Sequence, residues 1–339
     1  MPILKSPRAR RSWFAGALAV GALALAACGG GASADPNASA SEEQAAADYA
    51  AFTADNCGTD VAVDAAPQRI VTIKSSTTEL VLALGAGDRI VGTAYPDGPV
   101  PDEYADVMAD VPVLSDRVPS HEAVLELEPD LVYAGWESNL AADGAGERSS
   151  FSSLGITTFV SPSACQEPGY QPDPLTFDDV FAEIEQVGAL LGEPDAAADL
   201  VEEQRAALSD VTPSDAGLSA VWYSSGSDTP FVGAGIGAPQ MVMDAAGLEN
   251  IAADVHDTWT SLSWEAVADA EPDVIVLVDS EWNTAENKIE VLESNPVTAA
   301  LPAVQDARYV VVPFAATEAG VRSVDAARTI ADQLADLEG

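Results

Sequence analysis

The chain has 339 residues with 14 Lys and Arg against 55 Asp and Glu, a formal net charge of −41 at pH 7, and only two His and three Cys. A surface so poor in cations cannot displace the counterions of a phosphate backbone, which excludes nucleic-acid binding. The few His and Cys have no clustered spacing, which excludes a zinc site. The acidity itself suits solubility outside the cell, or a cationic partner, and says little about a ligand.

Residues 1–28 read as an address. Lys5, Arg8, Arg10 and Arg11 form a basic start, and residues 15–27 an apolar stretch too short to span a bilayer comfortably. The stretch ends in Leu25-Ala26-Ala27-Cys28, which resembles a bacterial lipobox. That resemblance implies cleavage before Cys28, a diacylglycerol on its thiol, and a mature protein held at the outer face of the cytoplasmic membrane. Arg10-Arg11-Ser12-Trp13-Phe14 also resembles a twin-arginine signal, with ordinary secretion the favoured route. Residues 29–66 are expected to be a flexible tether and N-terminal extension, the part to residue 56 being rich in Gly, Ala, Ser and Asp. With Cys28 lipidated, Cys57 and Cys165 are an even pair in an oxidising compartment, for which a disulfide is the expectation. Two free buried thiols are the other reading.

The folded body is expected from Pro67. Ile70-Val71-Thr72-Ile73 reads as a buried strand. Ser75-Ser76-Thr77 then caps a helix with Leu80, Val81 and Leu84 inward, and Gly85 stops it before the strand Ile90-Val91-Gly92. Residues 131–134 and 157–160 complete four strands separated by helices, which argues for a parallel sheet covered on both faces. From residue 176 two long helices follow. Thr176 is the N-cap of the first, and Phe177, Val180, Phe181, Ile184, Val187 and Leu191 keep helical spacing. Gly192-Glu193-Pro194 breaks the run, and Leu200, Val201, Gln204, Leu208 and Val211 mark a second helix ended by Pro213. That helix, 193–212, is expected to bridge a lobe at 67–192 and a lobe at 213–339. A helical hairpin within one domain gives the same pattern. Strands at 220–223, 274–278 and 309–312, a helix at 239–246 stopped by Gly247, and a closing helix at 320–337 complete the chain.

One segment occurs twice. Ser120-His121-Glu122-Ala123-Val124-Leu125-Glu126-Leu127-Glu128-Pro129-Asp130 returns as Ser263-Trp264-Glu265-Ala266-Val267-Ala268-Asp269-Ala270-Glu271-Pro272-Asp273, and an apolar run follows each copy. Each reads as a serine-capped helix, stopped by proline and followed by a buried parallel strand. Two copies in two halves predict two lobes of similar build, with a glutamate at the start of the same helix in each.

The strand-Ser-Ser-Thr-Thr-Glu start at 70–79, the two Ser-x-Glu-Ala-Val helices, both Glu-Pro-Asp strands and the bridging helix, standing behind a lipobox, carry a family resemblance. Over residues 67–337 the chain resembles the extracytoplasmic binding proteins of ABC importers, in the class serving ferric siderophores, haem and cobalamin. The resemblance implies an α/β fold of two Rossmann-like lobes with parallel-type sheets, joined by a single long bridging helix. It also implies a monomer without catalytic activity or resident cofactor, which takes a small-molecule ligand and delivers it to a permease dimer with its ATPase. In that class a glutamate on each lobe pairs with permease arginines, and the matching positions are Glu122 and Glu265. Both are also ordinary first-turn glutamates favoured by the helix dipole.

Ligands of the class sit between the lobes, at loops after the C-terminal strand ends. In the first lobe those loops carry Lys74, Ser75, Ser76, Thr77, Tyr95, Trp136, Glu137 and Asn139; in the second, Ser224, Ser225, Trp259, Trp282, Phe314, Thr317 and Arg322. Tryptophans in polar loops beside hydroxyls suit a planar ligand. Lys74 and Arg322 are candidates to hold an anionic group, with pairing to carboxylates as the alternative, and Arg148 is a third candidate. More narrowly, segments 73–79, 133–139, 165–170 and 233–240 resemble an actinobacterial subgroup associated with a precursor of the deazaflavin redox coenzyme. That precursor is a tricyclic flavin-like ring on a ribityl chain with a phosphodiester and a carboxylate.

Other readings carry less. Gly233-Ala234-Gly235-Ile236-Gly237-Ala238 loosely matches a dinucleotide fingerprint, but it follows a very short apolar pair and precedes Pro239. A tight turn beside the cleft explains it better than a secreted dinucleotide-dependent enzyme. A haem or ferric-siderophore carrier with Tyr95 or Tyr223 on iron, or a cobalamin carrier, remains the alternative within the same fold. A bridging helix resists bending, so closure on ligand is expected to be small.

Overall fold

The computed structural model describes residues 49–338, so Cys28 and the leader lie outside the described residues. Order begins earlier than the composition suggests. Strands β1 (Phe52–Asn56) and β2 (Thr59–Val63) form an antiparallel hairpin. Its two-residue turn, Cys57-Gly58, has both residues in the left-handed region at φ 50° and 74°, as a tight hairpin of this twist requires. The extension expected up to residue 66 is therefore folded from Phe52, and the flexible reading is corrected for residues 52–56. Phe52 and Val61 are buried, and the Phe52 ring meets Phe159 edge-on at 6.2 Å. Cys57 is bonded to Cys165 across 108 residues. Arg148 completes the attachment, donating to the Asn56 carbonyl and side-chain oxygens and to Thr158.

The first lobe continues with β3 (Ile70–Ile73), α1 (Ser75–Ala83), β4 (Ile90–Ala94), α2 (Ala105–Met108), α3 (His121–Leu125), β5 (Leu131–Ala134), α4 (Arg148–Ser153) and β6 (Thr157–Val160). The four strands make an all-parallel sheet in the order β4-β3-β5-β6. Every residue of β3 and β5 is buried, which is why both read as unbroken apolar runs. Helix α5 (Phe177–Leu191) carries a capping box between Thr176 and Asp179 and ends at Gly192, in the left-handed conformation at φ 77°.

Helix α6 (Pro194–Ser209) opens with proline in its first turn. It packs against α5, where Arg205 bonds Asp178 at 2.7 Å and lies over the Phe181 ring. Beside it, Gln204 donates to the Val321 carbonyl of the second lobe. One helix therefore touches both lobes and is the chain's passage between the two sheets.

The second lobe comprises β7 (Leu218–Ser225), β8 (Phe231–Gly233), α7 (Ala238–Ala246), β9 (Leu248–Asn250), β10 (Trp259–Ser261), α8 (Trp264–Ala270), β11 (Val274–Asp279), α9 (Ala285–Ser294), α10 (Pro302–Gln305), β12 (Tyr309–Pro313) and α11 (Ser323–Glu338). Strands β9, β7, β11 and β12 are parallel and repeat the order of the first sheet. The sheet is mixed rather than wholly parallel: β8 pairs antiparallel with the C-terminal end of β7, and β10 with β8. These three-residue strands are too short to show a period in sequence.

The duplicated segment is duplicated in structure. Ser120 Oγ accepts from the Ala123 amide and Ser263 Oγ from the Ala266 amide, at 3.2 and 3.1 Å. Glu128 and Glu271, just before each proline, share a left-handed φ of 46° and 45°. The aspartates then start equivalent strands: the Asp130 amide donates to Arg69 O and that of Asp273 to Ser219 O, both at 2.9 Å. The Asp130 carboxylate accepts the backbone amides of Gln68 and Arg69 just ahead of β3, and that of Asp273 the amide of Ser219 at the start of β7. Repetition of these bonds fixes the same strand register in both lobes.

Candidate ligand cleft

The C-terminal ends of β3, β5 and β6 face those of β7 and β12 across a cleft of about 390 Å³. Trp136, after β5, lines it from the first lobe, and Trp259, on β10, from the second. Trp259 is held flat against Phe231, with ring centroids 5.7 Å apart and planes 14° from parallel. Hydroxyls of Ser76, Ser138, Ser163, Thr258 and Thr317 and the amides of Gln166 and Gln171 supply most of the polar lining.

Of the residues expected at the site, Ser76, Trp136, Ser224, Trp259, Phe314 and Thr317 line the cleft. The others lie around it. Ser75, Thr77 and Asn139 are buried beneath, bonded to Asp97, to the Ile73 and Lys74 carbonyls, and to the Trp136 amide respectively. The side-chain nitrogen of Asn139 has no partner among the described residues. Tyr95 packs edge-on to Trp136 at 5.5 Å, and Glu137 accepts from the Gln166 amide, steadying a loop that does line the cleft. Ser225 ends β7 outside the lining set. Trp282 is 63% exposed in a surface turn, its ring edge-on to Phe314 at 5.9 Å.

All three candidate cations are already engaged. Lys74 is fully buried and bonded to Asp97, with its Nζ 3.8 Å from the centre of the Trp136 ring. The Asp97 carboxylate also accepts the Ser75 amide at 3.1 Å, so Lys74 already holds an anion of the protein's own. Ser75 and Thr77 stand inside the first turn of α1, and the N-cap position belongs to Lys74. Burial pushes the Asp97 carboxyl above its usual range, with Lys74 opposing the shift. Arg322 makes a bidentate bond to Glu79, at 2.5 and 2.6 Å, so it clasps the second lobe to the first. Arg148 is committed to the hairpin.

Sequence reasoning missed Glu318, which lines the cleft and accepts the Trp136 indole N–H at 2.9 Å across the lobes. It also missed the 163–171 wall, stiffened from behind by Glu183, which accepts from Tyr133 and Ser163. No spacing rule marks either, because both depend on which loops the two lobes bring together.

The glycine run at 233–237 is a packing device. A Cβ on Gly235 would stand 2.0 Å from the Ala253 carbonyl oxygen, and one on Gly237 2.9 Å from Thr258. The backbones at 233–237 and 253–258 thus approach closely at the cleft wall. No nucleotide role follows from that approach. Among the described residues no group of His, Cys, Asp or Glu could hold a metal ion. Tyr223 is buried and donates to the Gly226 carbonyl.

The family model for periplasmic binding proteins matches residues 70–316, most of both lobes. The chain belongs to the periplasmic binding protein family. Among curated relatives, an uncharacterized ABC transporter substrate-binding lipoprotein of Bacillus subtilis is 26% identical over 96% of this chain and 97% of its own length. A cobalamin-binding protein of Halobacterium salinarum is 30% identical over 75% of this chain and 66% of its own. Among solved structures, a periplasmic binding protein of Veillonella parvula superposes with a TM-score of 0.74 at 25% identity, covering 84% of this chain and 97% of that one. A protein of an ABC-type Fe3+-hydroxamate transport system from Saccharomonospora viridis gives 0.71 at 27% identity, over 84% and 98%. Like these periplasmic binding proteins, the chain is a carrier of solute and not an enzyme. Glu122 and Glu265 are exposed in the first turns of α3 and α8, the two copies of the repeat.

Proposed function

We propose that this protein is the extracytoplasmic solute-binding subunit of an ABC importer, held to the membrane by a lipid on Cys28. It acts as a monomer that captures a flat, cofactor-like molecule between its lobes. It hands the molecule to a permease dimer, with Glu122 and Glu265 as the docking charges. Two charges on a rigid frame set register and encounter rate more than they add affinity. The favoured cargo is the deazaflavin-coenzyme precursor.

One observation carries the ligand class: aromatic side chains of opposite lobes, Trp136 and Trp259, line one largely apolar cleft whose polar groups are mostly hydroxyls and amides. Indole faces favour stacked or edge-on contact with a ring, and side-chain oxygens and amides orient its polar edges. The volume falls at the lower end of the roughly 300–1,000 Å³ typical of small-molecule pockets. Lys74 and Arg322 are consumed by Asp97 and Glu79. The anionic arm of such a cargo is therefore assigned to hydroxyls and water at the mouth. A corrinoid is the second reading, supported by relatives named as cobalamin- and vitamin B12-binding proteins. No tyrosine or histidine side chain lines the cleft among the described residues, which weighs against a protein ligand to haem iron.

The test is a tryptophan-fluorescence titration of the mature protein with the deazaflavin precursor, cobinamide, haem and a ferric hydroxamate. Saturable quenching by the deazaflavin compound, weakened at least tenfold in Trp136→Ala and in Trp259→Ala, is the expected result. Quenching by the corrinoid alone overturns the favoured cargo and keeps the importer.

A further inference from the structure

Glu318 is the sole ionisable side chain lining the cleft among the described residues. It follows β12 through the single turn Phe314–Ala316. One carboxyl oxygen, Oε2, is fixed by the Trp136 indole N–H of the other lobe. The other, Oε1, has no protein partner among the described residues. Lys74, the nearest cation, is already bonded to Asp97 and lies against the Trp136 ring. Burial pushes the Glu318 carboxyl above its usual range, with Lys74 and the indole N–H opposing the shift.

A carboxyl at the cleft wall held by one oxygen, with the other unbonded to protein, is a recognition element awaiting a polar edge. A ligand anion would meet the carboxyl and buried Asp97, and a ligand cation would lose its hydration among the Trp136, Phe231, Trp259 and Phe314 rings. A neutral edge with an N–H beside a carbonyl meets neither difficulty. It can donate to the ionised carboxylate and, through its carbonyl, accept from the protonated acid.

We propose that Glu318 selects the cargo by bonding, through Oε1, a lactam or imide edge of a flat heterocycle seated against Trp136. The proposal rests on the flat-ring reading above and adds the group that is read. It makes Glu318 a specificity residue, and the Trp136–Glu318 bond the contact that sets its aim.

The probes are lumiflavin, whose only N–H is flanked by two carbonyls, and 3-methyllumiflavin, which differs by a methyl on that nitrogen. Each is titrated calorimetrically into the mature protein, while the Trp136 indole N–H resonance is followed by nitrogen-15 NMR. Lumiflavin should bind with a saturable shift of that resonance, and the methylated probe at least tenfold more weakly. Glu318→Leu, checked for an unchanged melting transition, should bind the two probes equally. Equal binding of both by the parent protein overturns the proposal, as does an unmoved Trp136 resonance. The two claims fail separately: loss of the deazaflavin precursor as a ligand leaves the lumiflavin discrimination to stand or fall alone.

Discussion

Arg322→Ala tests whether this arginine clasps the lobes or waits for an anion. Its guanidinium makes a bidentate bond to Glu79, whose side chain is 3% exposed, while Arg322 is 25% exposed. Removing it leaves a buried carboxylate facing Asp97 and Glu103, both of which raise its pKa. Breaking a buried pair costs about 3–5 kcal/mol, and partial exposure of the arginine puts this case near 3. For a body of this size that is a fall in Tm of roughly 5 °C. The cost has a pH signature. The folded-state Glu79 carboxyl already lies above its ordinary 4.5, because burial outweighs Arg322, and loss of the arginine raises it further. A raised carboxyl means the folded state binds the proton more tightly than the unfolded state does. Stability is then lost as pH rises from 4.5 through the raised value. The deficit of the variant should be complete at pH 8 and small near pH 4.5, by calorimetry across that range. Glu79→Gln in the Arg322→Ala background should recover part of it at pH 8. An Arg322→Ala protein with the same deficit at both pH values would refute the reasoning.

Other expectations follow from the same geometry. Cys57→Ser with Cys165→Ser opens a 108-residue loop and should cost about 2–5 kcal/mol. The comparison is the melting curve of the parent with and without reductant, and an unchanged curve would deny the bond a structural role. Glu122→Lys with Glu265→Lys should abolish uptake in cells while ligand affinity of the purified protein is unchanged, since both side chains are exposed and outside the cleft lining. A parallel loss of affinity would count against docking.

Much of the architecture was legible because its signals are local. A serine three residues before a free amide, a glycine after a helix, and an apolar run wide enough to be buried on both faces act within one element. The Ser-x-Glu-Ala-Val and Glu-Pro-Asp copies therefore announced two lobes, and Thr176 and Gly192 bounded α5. The hairpin at 52–63 escaped notice because its strands alternate buried and exposed residues over only five positions each, in a polar, alanine-rich stretch.

The sequence by itself determined the two-lobed fold, the bridging helix and the loops that approach the cleft, since periodicity and capping are properties of neighbours in the chain. Only the tertiary structure decided what each polar side chain does. Asp97 lies 23 residues from the Lys74 it neutralises, Arg322 lies 243 residues from Glu79, and Glu318 lies 182 residues from the indole that aims it. Charges are satisfied by whatever folding brings within bonding distance. A scarce cation in a loop thus proved to be a buried partner, and an unremarked glutamate proved to line the cleft beside Trp136.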